Sequence, residues 1–259
     1  MQNRVSVIIP NYNHAAFLVN RIESVLKQTF KPFEVIILDD CSTDNSMVII
    51  NKYVEVPDLY IFKNDKNSGF TFDQWKKGIS KAKGELIWIA ESDDYANVEL
   101  LEKLITPIID DPNVVISYCN HYTIDVNDNL VDNVHFESSN FDTSLFFNNF
   151  ILDGDYFIEN YLIQKNVIPN ASGVLFKKEV FMKLSETPSS VSKMGDWLIW
   201  LKMLSYGKIA FNKEKLNYFR NYNEEVYKKT KSNSLIVAIY GYEMRIIYAK
   251  FLNKKKNNE

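Results

Sequence analysis

Cysteine is nearly absent from this chain: two residues in 259. Cys41 and Cys119 lie far apart and neither stands in a CxxC-type pattern, so a disulfide framework is excluded and a reduced, cytoplasmic setting is expected. Excess charge of one sign is also missing. Thirty Lys and Arg against 33 Asp and Glu leave a formal charge of −3, which removes any overall electrostatic case for nucleic acid. No uninterrupted apolar run reaches the ~18 residues that suggest a membrane span. The nearest candidate, residues 235–252, contains Glu243, Arg245 and Lys250. Met1-Gln2-Asn3-Arg4 leads straight into an apolar strand with no signal-type stretch, so a soluble chain is expected, one that at most touches a membrane.

What the chain does hold is apolar strand signal, aromatic side chains and paired acids. Hydrophobic residues make up 46% of it, with 17 Phe, 15 Tyr and 4 Trp, enough for a core and for a sugar-stacking surface. Asp39-Asp40 follows the apolar run Val35-Ile36-Ile37-Leu38. Asp93-Asp94 follows Leu86-Ile87-Trp88-Ile89-Ala90. Clustered carboxylates repel one another unless donors or positive charge hold them, and at the strand ends of an open α/β sheet a ligand or divalent cation often does so.

The first 120 residues alternate strand and helix signals. Strands are expected at residues 5–10, 34–38, 60–62, 86–90 and 114–119, with helices at 17–28, after Asp44, at 72–82 and at 98–109. Asp44 is placed as a helix N-cap. Continuous rather than alternating apolar runs point to a mostly parallel sheet covered by helices on both faces. Beyond residue 120 the pattern weakens: a hairpin turn at 125–130, a loop at 136–150, helices at 155–165, 178–184 and 196–206, and a strand at 173–176. The division that follows is 1–120 as a nucleotide-binding half, 121–230 as an acceptor-binding half, and 231–259 as a terminal helix with a basic tail.

In such a sheet the ligand lies at the carboxyl ends of the strands. Pro10-Asn11-Tyr12-Asn13-His14, Asp39-Asp40 and Asp93-Asp94 end three strands and so converge on one rim. Tyr12 is suited to lie against a base, and an Asp can accept from a base N–H. Magnesium or manganese on a nucleotide takes one or two protein carboxylates, which the second acidic pair supplies. Taken alone, each pair also reads as a solvated turn or a cap. His14 reads as a loop residue, Cys41 as a small residue in a tight turn, and Trp75 and Trp88 as core aromatics.

Taken together, VSVIIPNYNH (5–14), VIILDDCSTD (35–44) and AKGELIWIAESDDY (82–95) resemble the family 2 glycosyltransferases of the GT-A fold in order and separation. Asn67-Ser68-Gly69-Phe70 and the stretch 72–79 are similar to the segment before that family's metal motif, and Gly195-Asp196-Trp197 to its catalytic-base segment.

The resemblance implies an inverting transfer from a UDP- or dTDP-type sugar to a hydroxyl of a glycan or lipid-linked acceptor, with Mn²⁺ or Mg²⁺, in bacterial surface polysaccharide synthesis. It implies that Pro10, Asn11, Tyr12, Asp39, Asp40, Asn67, Gly69, Asp93 and Arg220 meet the nucleotide sugar. Asp39 would meet the base, Asp94 would be the main metal ligand with Asp93 beside it, and Asp196 would be the general base. Ser172, Gly173 and Trp197 fall where relatives contact the acceptor. The stretch 216–222 departs from the family's Arg-x-His form: Tyr222 stands in place of the histidine, with Arg220 left to reach the diphosphate.

Three rival readings remain at this stage. A sugar nucleotidyltransferase normally carries a Gly-rich basic loop after strand one, and residues 11–16 have no Gly, Lys or Arg. A phosphoacceptor-type signalling domain normally places its acidic pair after the first strand, and is about half this length. A degenerate transferase that only binds nucleotide sugars is compatible with every motif. The terminal helix, with Leu235, Ile239, Tyr242, Ile246 and Phe251 along one side and Lys254-Lys255-Lys256 after it, is compatible with a peripheral membrane position and equally with packing on the domain.

Overall fold

The apolar run Val5–Ile9, with Pro10 only near its end, builds β1 (Val5–Asn11), which is buried along its whole length, and α1 (Ala15–Leu26) returns over it on a stripe of Leu18, Ile22 and Val25. The computed structural model describes residues 4–131, 143–184 and 195–221. In chain order there follow β2 (Glu34–Asp39), α2 (Ser46–Ile50), β3 (Leu59–Lys63), α3 (Thr71–Lys81), β4 (Leu86–Ile89), β5 (Tyr95–Ala96), α4 (Leu100–Asp110) and β6 (Val114–Ile124). The remainder is β7 (Leu130–Val131), β8 (Phe150–Asp153), α5 (Gly154–Phe157), β9 (Val174–Lys177), α6 (Lys178–Met182), α7 (Gly195–Leu204) and β10 (Lys208–Arg220).

The strands form one sheet in the order β3-β2-β1-β4-β9-β6-β10-β5. From β3 to β4 every pairing is parallel. The chain moves outward from β1 to β3, then returns to the other side of β1, so strand order reverses between β1 and β4. That reversal opens a crevice at their carboxyl ends, the place where open α/β sheets take ligands. Beyond β4 the sheet is mixed: β9 lies antiparallel between β4 and β6, while β10 runs parallel to β6. Two apolar layers cover the sheet. Helices α1, α2 and α4 pack with Val7, Ile9 and Trp88 on one face, and α3, α5 and α7 pack with Ile8, Ile87 and Phe176 on the other.

The α/β sheet with flanking helices is as expected, and several details differ. Asp44 stands one residue before the N-cap of α2, Asn45, yet its carboxylate accepts from Ser46 N at 2.9 Å and from Ala15 N at 2.9 Å, serving the starts of two helices. The helix expected over 155–165 is short, passing after Phe157 into a π-type turn, Ile158–Leu162. In the 125–130 turn the Asp125 carboxylate accepts from Asn127 N and Asn129 N and closes the β6–β7 hairpin. Strand β10 has no counterpart in the sequence reading. Its polar middle, Asn212-Lys213-Glu214-Lys215, coincides with register shifts against β6, and a bulged strand loses the alternation that would reveal it. Tyr222 and the segment 231–259 lie outside the described residues. Among the described residues no helix is long and apolar enough to cross a membrane.

Candidate active site

At the β1/β4 reversal a pocket of about 370 Å³ opens between the ends of β1, β2 and β4 and the start of α3. Pro10, Asn11, Tyr12, Asp40, Asn67 and Gly69 form much of its wall, joined by His14, Gln74, Glu91 and Ser92. A larger groove of about 660 Å³, bordered by Lys83, Ile108, Lys177 and Met182, lies at the opposite, amino edge of β4 and contains none of the expected residues. The pocket at the carboxyl edge is therefore the candidate site, despite its smaller volume.

The first acidic pair divides its duties. Asp39 is fully buried, and its oxygens accept from Asn11 Nδ2 at 2.9 Å and from Ser42 N at 3.0 Å. It lies beneath the pocket rather than on its wall. Asp40 is the member that lines the pocket, and it gathers the loop that follows β3. It accepts from Asn64 Nδ2 (2.5 Å), Ser68 N (2.9 Å), Ser68 Oγ (2.7 Å) and Gln74 Nε2 (3.0 Å). Gly69 closes this loop at φ +77°, a left-handed conformation that glycine adopts without strain, and its N–H donates to Asn67 Oδ1.

The second pair divides in the opposite sense. Asp94 is 2% exposed and is held on every side: Arg220 N donates to Oδ1 at 2.8 Å, Asn170 Nδ2 donates to Oδ2 at 2.7 Å, and the Arg21 guanidinium stands 3.9 Å away. Burial first, then the charge of Asp93, raises its carboxyl above the usual range, against the pull of Arg21. Asp93 is half-buried, and its carboxylate makes no hydrogen bond to any described residue. Glu91, half-exposed on the pocket wall, accepts from Trp75 Nε1 at 2.8 Å; burial and then Asp93 push it up to about 8.

Arg220 is not placed to reach a diphosphate. It is buried, with Nε on Asp93 O (2.7 Å), NH1 on Asp125 O (2.5 Å), NH2 on Asp128 Oδ1 (2.5 Å) and its plane 4.2 Å from the Phe17 ring. All three guanidinium nitrogens are engaged, so the residue acts as a clamp behind the acidic loop.

Asp196 opens α7, whose start packs against α3. A Cβ on Gly195 would stand 2.4 Å from the Phe72 ring, so a larger residue there would have to displace that ring next to the pocket residues Phe70 and Thr71. The Asp196 carboxylate accepts from Trp197 N at 2.7 Å and bonds with Asn166; it keeps an exposed edge, yet the surrounding protein pushes it up to about 6, chiefly by desolvation. Ser172, Gly173 and Trp197 differ from their expected place. All three are buried. Ser172 O accepts from Trp88 Nε1, Ser172 Oγ accepts from Glu91 N, and Trp197 Nε1 donates to Leu162 O, so their polar groups hold the core and do not face an acceptor.

Three residues escaped the sequence reading. His14, taken as a loop residue, stands on the pocket wall with Nδ1 2.8 Å from Ser92 Oγ. Gln74 lies on the buried side of α3 and reaches Asp40. Arg21 is fully buried, its Nε donating to Glu91 O at 2.8 Å and its cation facing the acidic loop; burial lowers its pKa to about 10 against the pull of Asp94. The last had a signal: an arginine on the apolar stripe of α1, between Leu18 and Ile22. Trp75 and Trp88 are core residues as expected, and Cys41 turns the chain at φ +62°.

Glycosyltransferase GlyG of Streptococcus pneumoniae is 36% identical over 129 residues, 49% of this chain and 42% of the relative. Poly(ribitol-phosphate) β-N-acetylglucosaminyltransferase TarS of Staphylococcus aureus is 36% identical over 101 residues, 38% of this chain and 18% of the relative. The chain thus spans less than half the length of these curated relatives. The structure of TarS residues 1–349 with UDP superposes with a TM-score of 0.67 at 21% identity, covering 97% of this chain and 71% of that one. A Pyrobaculum calidifontis mannosyltransferase in complex with GDP-Man and Mn²⁺ superposes at 0.56 and 17% identity, over 81% of this chain and 56% of that one. These two structures share the fold. The sequence profile described as glycosyl transferase family 2 matches residues 6–184, more than half of the chain, which belongs to that family of glycosyltransferases.

Proposed function

We propose that the chain transfers a sugar, with inversion, from a nucleotide diphospho-sugar to a hydroxyl of a glycan or lipid-linked acceptor in the making of a bacterial surface polysaccharide. One observation carries this reading: directly after the pocket-wall residues Glu91 and Ser92 at the strand-order reversal comes Asp93, a half-buried carboxylate close enough to raise the Glu91 carboxyl and with no hydrogen-bond partner among the described residues. Family membership favours it over the nucleotidyltransferase and signalling-domain readings. TarS binds UDP and the mannosyltransferase binds GDP-Man with Mn²⁺, which supports a nucleotide-sugar donor here.

Among the described residues no three His, Cys, Asp or Glu side chains gather to hold an ion by themselves. That suits magnesium or manganese, which take one or two protein carboxylates and complete their shell with phosphates and water. Asp93 fits as the ligand, since it is only half-buried and its carboxylate accepts from no described residue. Asp94 fits as the anchor that sets Asp93, because each of its oxygens already accepts a hydrogen bond inside the protein. When bound, the cation supplies positive charge where the leaving diphosphate develops negative charge.

The protein's own groups do the rest. Tyr12, 45% exposed at the rim, lies against the base, and Asp40 with the Asn67–Gly69 turn shapes the nucleoside end. Asp196 takes the proton from the acceptor hydroxyl as its oxygen bonds to the anomeric carbon and the bond to the diphosphate breaks. A general base contributes about 10²–10⁴-fold. The test is a screen of UDP-, dTDP- and GDP-sugars for Mn²⁺-dependent thermal stabilisation, followed by donor hydrolysis without acceptor. Stabilisation by one donor class with slow hydrolysis is expected; no stabilisation by any donor would overturn the reading, and binding without hydrolysis would reduce the chain to a binding module.

A further inference from the structure

Asp196 and the acidic loop after β4 belong to different elements, yet one short segment between α5 and β9 is bonded to both. Asn166, half-buried, bonds with the Asp196 carboxylate, and its Oδ1 accepts from Ile168 N at 3.2 Å. A carboxylate only accepts, so the amide nitrogen of Asn166 is the atom that faces Asp196. Asn170, farther along the same segment, repeats the pattern: Nδ2 donates to Asp94 Oδ2 at 2.7 Å and Oδ1 accepts from Asn217 Nδ2 at 3.3 Å. The Ser172 hydroxyl also bonds with Asp94 while accepting from Glu91 N at 3.1 Å. A flip of either amide would set an oxygen against a carboxylate, so both orientations are fixed.

The segment itself is held firmly. Val167, Ile168 and Ala171 are buried in the core on which α7 packs. Pro169 restricts its own φ and the backbone of Ile168 before it. Outside the two asparagines, Trp197 Nε1 donates to Leu162 O at 2.8 Å and Trp88 Nε1 donates to Ser172 O at 2.7 Å, pinning each end. From Asn166 to Asn170 the chain spans at most about 14 Å, which limits how far apart its two carboxylate partners can stand.

We propose that residues 166–172 form a strut that registers the general base against the acidic loop, and that Asn166 is the positioning residue of Asp196. Asn166 fixes the rotation of the carboxylate and favours its ionised form, as N–H donors do. Asn170 and Ser172 tie the other end of the strut to Asp94. A base displaced by a fraction of its bond length from the acceptor hydroxyl loses much of its effect, so the strut acts on turnover rather than on donor binding. This inference rests on Asp196 as the base in the transferase reading and deepens it.

Two variants test it. Asn166→Leu and Asn166→Asp both remove the donor, and only the second keeps an oxygen for Ile168 N. Carbon-13 NMR of labelled aspartate in the metal-free chain, assigned with Asp196→Asn, reads the Asp196 carboxyl directly. Its midpoint near 6 should move up by about half a pH unit or more in both variants. Hydrolysis of the UDP-, dTDP- or GDP-sugar chosen by the donor screen, with Mn²⁺, should lose about tenfold or more in kcat with KM within about threefold. The pH limb of hydrolysis should follow the NMR midpoint upward. A shift in only one variant overturns the proposal: in Asn166→Leu alone it reports the lost bond to Ile168, in Asn166→Asp alone the added charge. Combining Asn166→Leu with Asn170→Ala should cost less in kcat than the product of the two separate losses, because one strut is being cut twice. Losses that multiply overturn the strut, and if Asn170→Ala does not fold, Ser172→Ala takes its place. An unmoved midpoint in a chain that hydrolyses donor overturns the role of Asn166 alone. A moved midpoint in a chain that hydrolyses no donor overturns the transferase reading instead.

Discussion

The backbone N–H of Arg220 donates to Oδ1 of Asp94 at 2.8 Å, across 126 residues of sequence, while the Arg220 side chain returns to the carbonyl of Asp93 at 2.7 Å. The end of β10 and the acidic loop after β4 thus hold each other by a reciprocal pair of bonds. The main chain of Asp93 is fixed, while its carboxylate accepts from no described residue. If Asp93 is the metal ligand proposed above, it is set by buried neighbours behind the loop rather than by the loop itself.

Arg220→Met should show how much this tie supports. The change strips donors from Asp93 O and Asp125 O and removes the cation from Phe17, so urea unfolding is expected to show a loss of about 2–4 kcal/mol. Arg220→Lys should recover little of it, because one ammonium cannot span three acceptors that a planar guanidinium meets at once. An unchanged urea midpoint in both variants would remove the clamp.

Asp93 and Asp94 should separate cleanly in the two measurements that matter. Asp93→Asn is expected to weaken Mn²⁺-dependent nucleotide binding by about tenfold or more, since an amide is a poor ligand for a hard cation, with little change in melting temperature. Asp94→Asn should do the reverse. Its new amide N–H₂ meets either the N–H of Arg220 or that of Asn170, a donor facing a donor, at about 1–3 kcal/mol of stability. If Asp94→Asn abolished metal-dependent binding in a protein of wild-type stability, the two roles would have to be exchanged.

The sequence carried the N-terminal half well and the rest unevenly, for physical reasons. Strands β1, β2 and β4 are buried on both faces, so they show as continuous apolar runs whose ends mark the rim. Which acid of each pair is held inward was not readable from neighbours in sequence. It depends on partners far along the chain: Ser42 and Asn11 take Asp39 inward, and Asn170 and Arg220 take Asp94 inward. Ser172 and Trp197 were misplaced for the same reason, because only the fold shows that their polar atoms are used by Glu91, Trp88 and Leu162. Strand β10 was hidden by its bulges, although it brings Arg220 to the site.

Stability of the metal-free protein should fall as pH rises toward 8. Burial, followed by the charge of Asp93, pushes Glu91 up to about 8, above the usual carboxyl value, while Trp75 pulls the other way. The folded protein therefore holds a proton there that the unfolded chain releases near its ordinary value of ~4.3, and the associated stability is lost as pH rises between the two. Asp94 and Asp196 are raised in the same sense. With the Asp196 value near 6, the decline between pH 6.5 and 8 belongs mainly to Glu91. Glu91→Gln keeps an acceptor for Trp75 Nε1 and should flatten the melting temperature over that interval in EDTA; an equally steep decline would show that another group is responsible.

Asp196 can be tested in a way that separates catalysis from helix support. Desolvation pushes its carboxyl up to about 6, and a general base has to be deprotonated, so turnover should rise with pH through about 6 and level off above it. Asp196→Asn retains an oxygen able to accept from Trp197 N, the bond that Asp196 makes at the start of α7. A purely structural role thus predicts a variant with near-normal turnover. A base predicts a fall of about 10²–10⁴-fold in kcat, nucleotide affinity within a few fold, and loss of the limb near pH 6 from the residual activity. If Asp196→Asn instead kept the limb and lost donor affinity in proportion to turnover, the proton would have to be taken by another group.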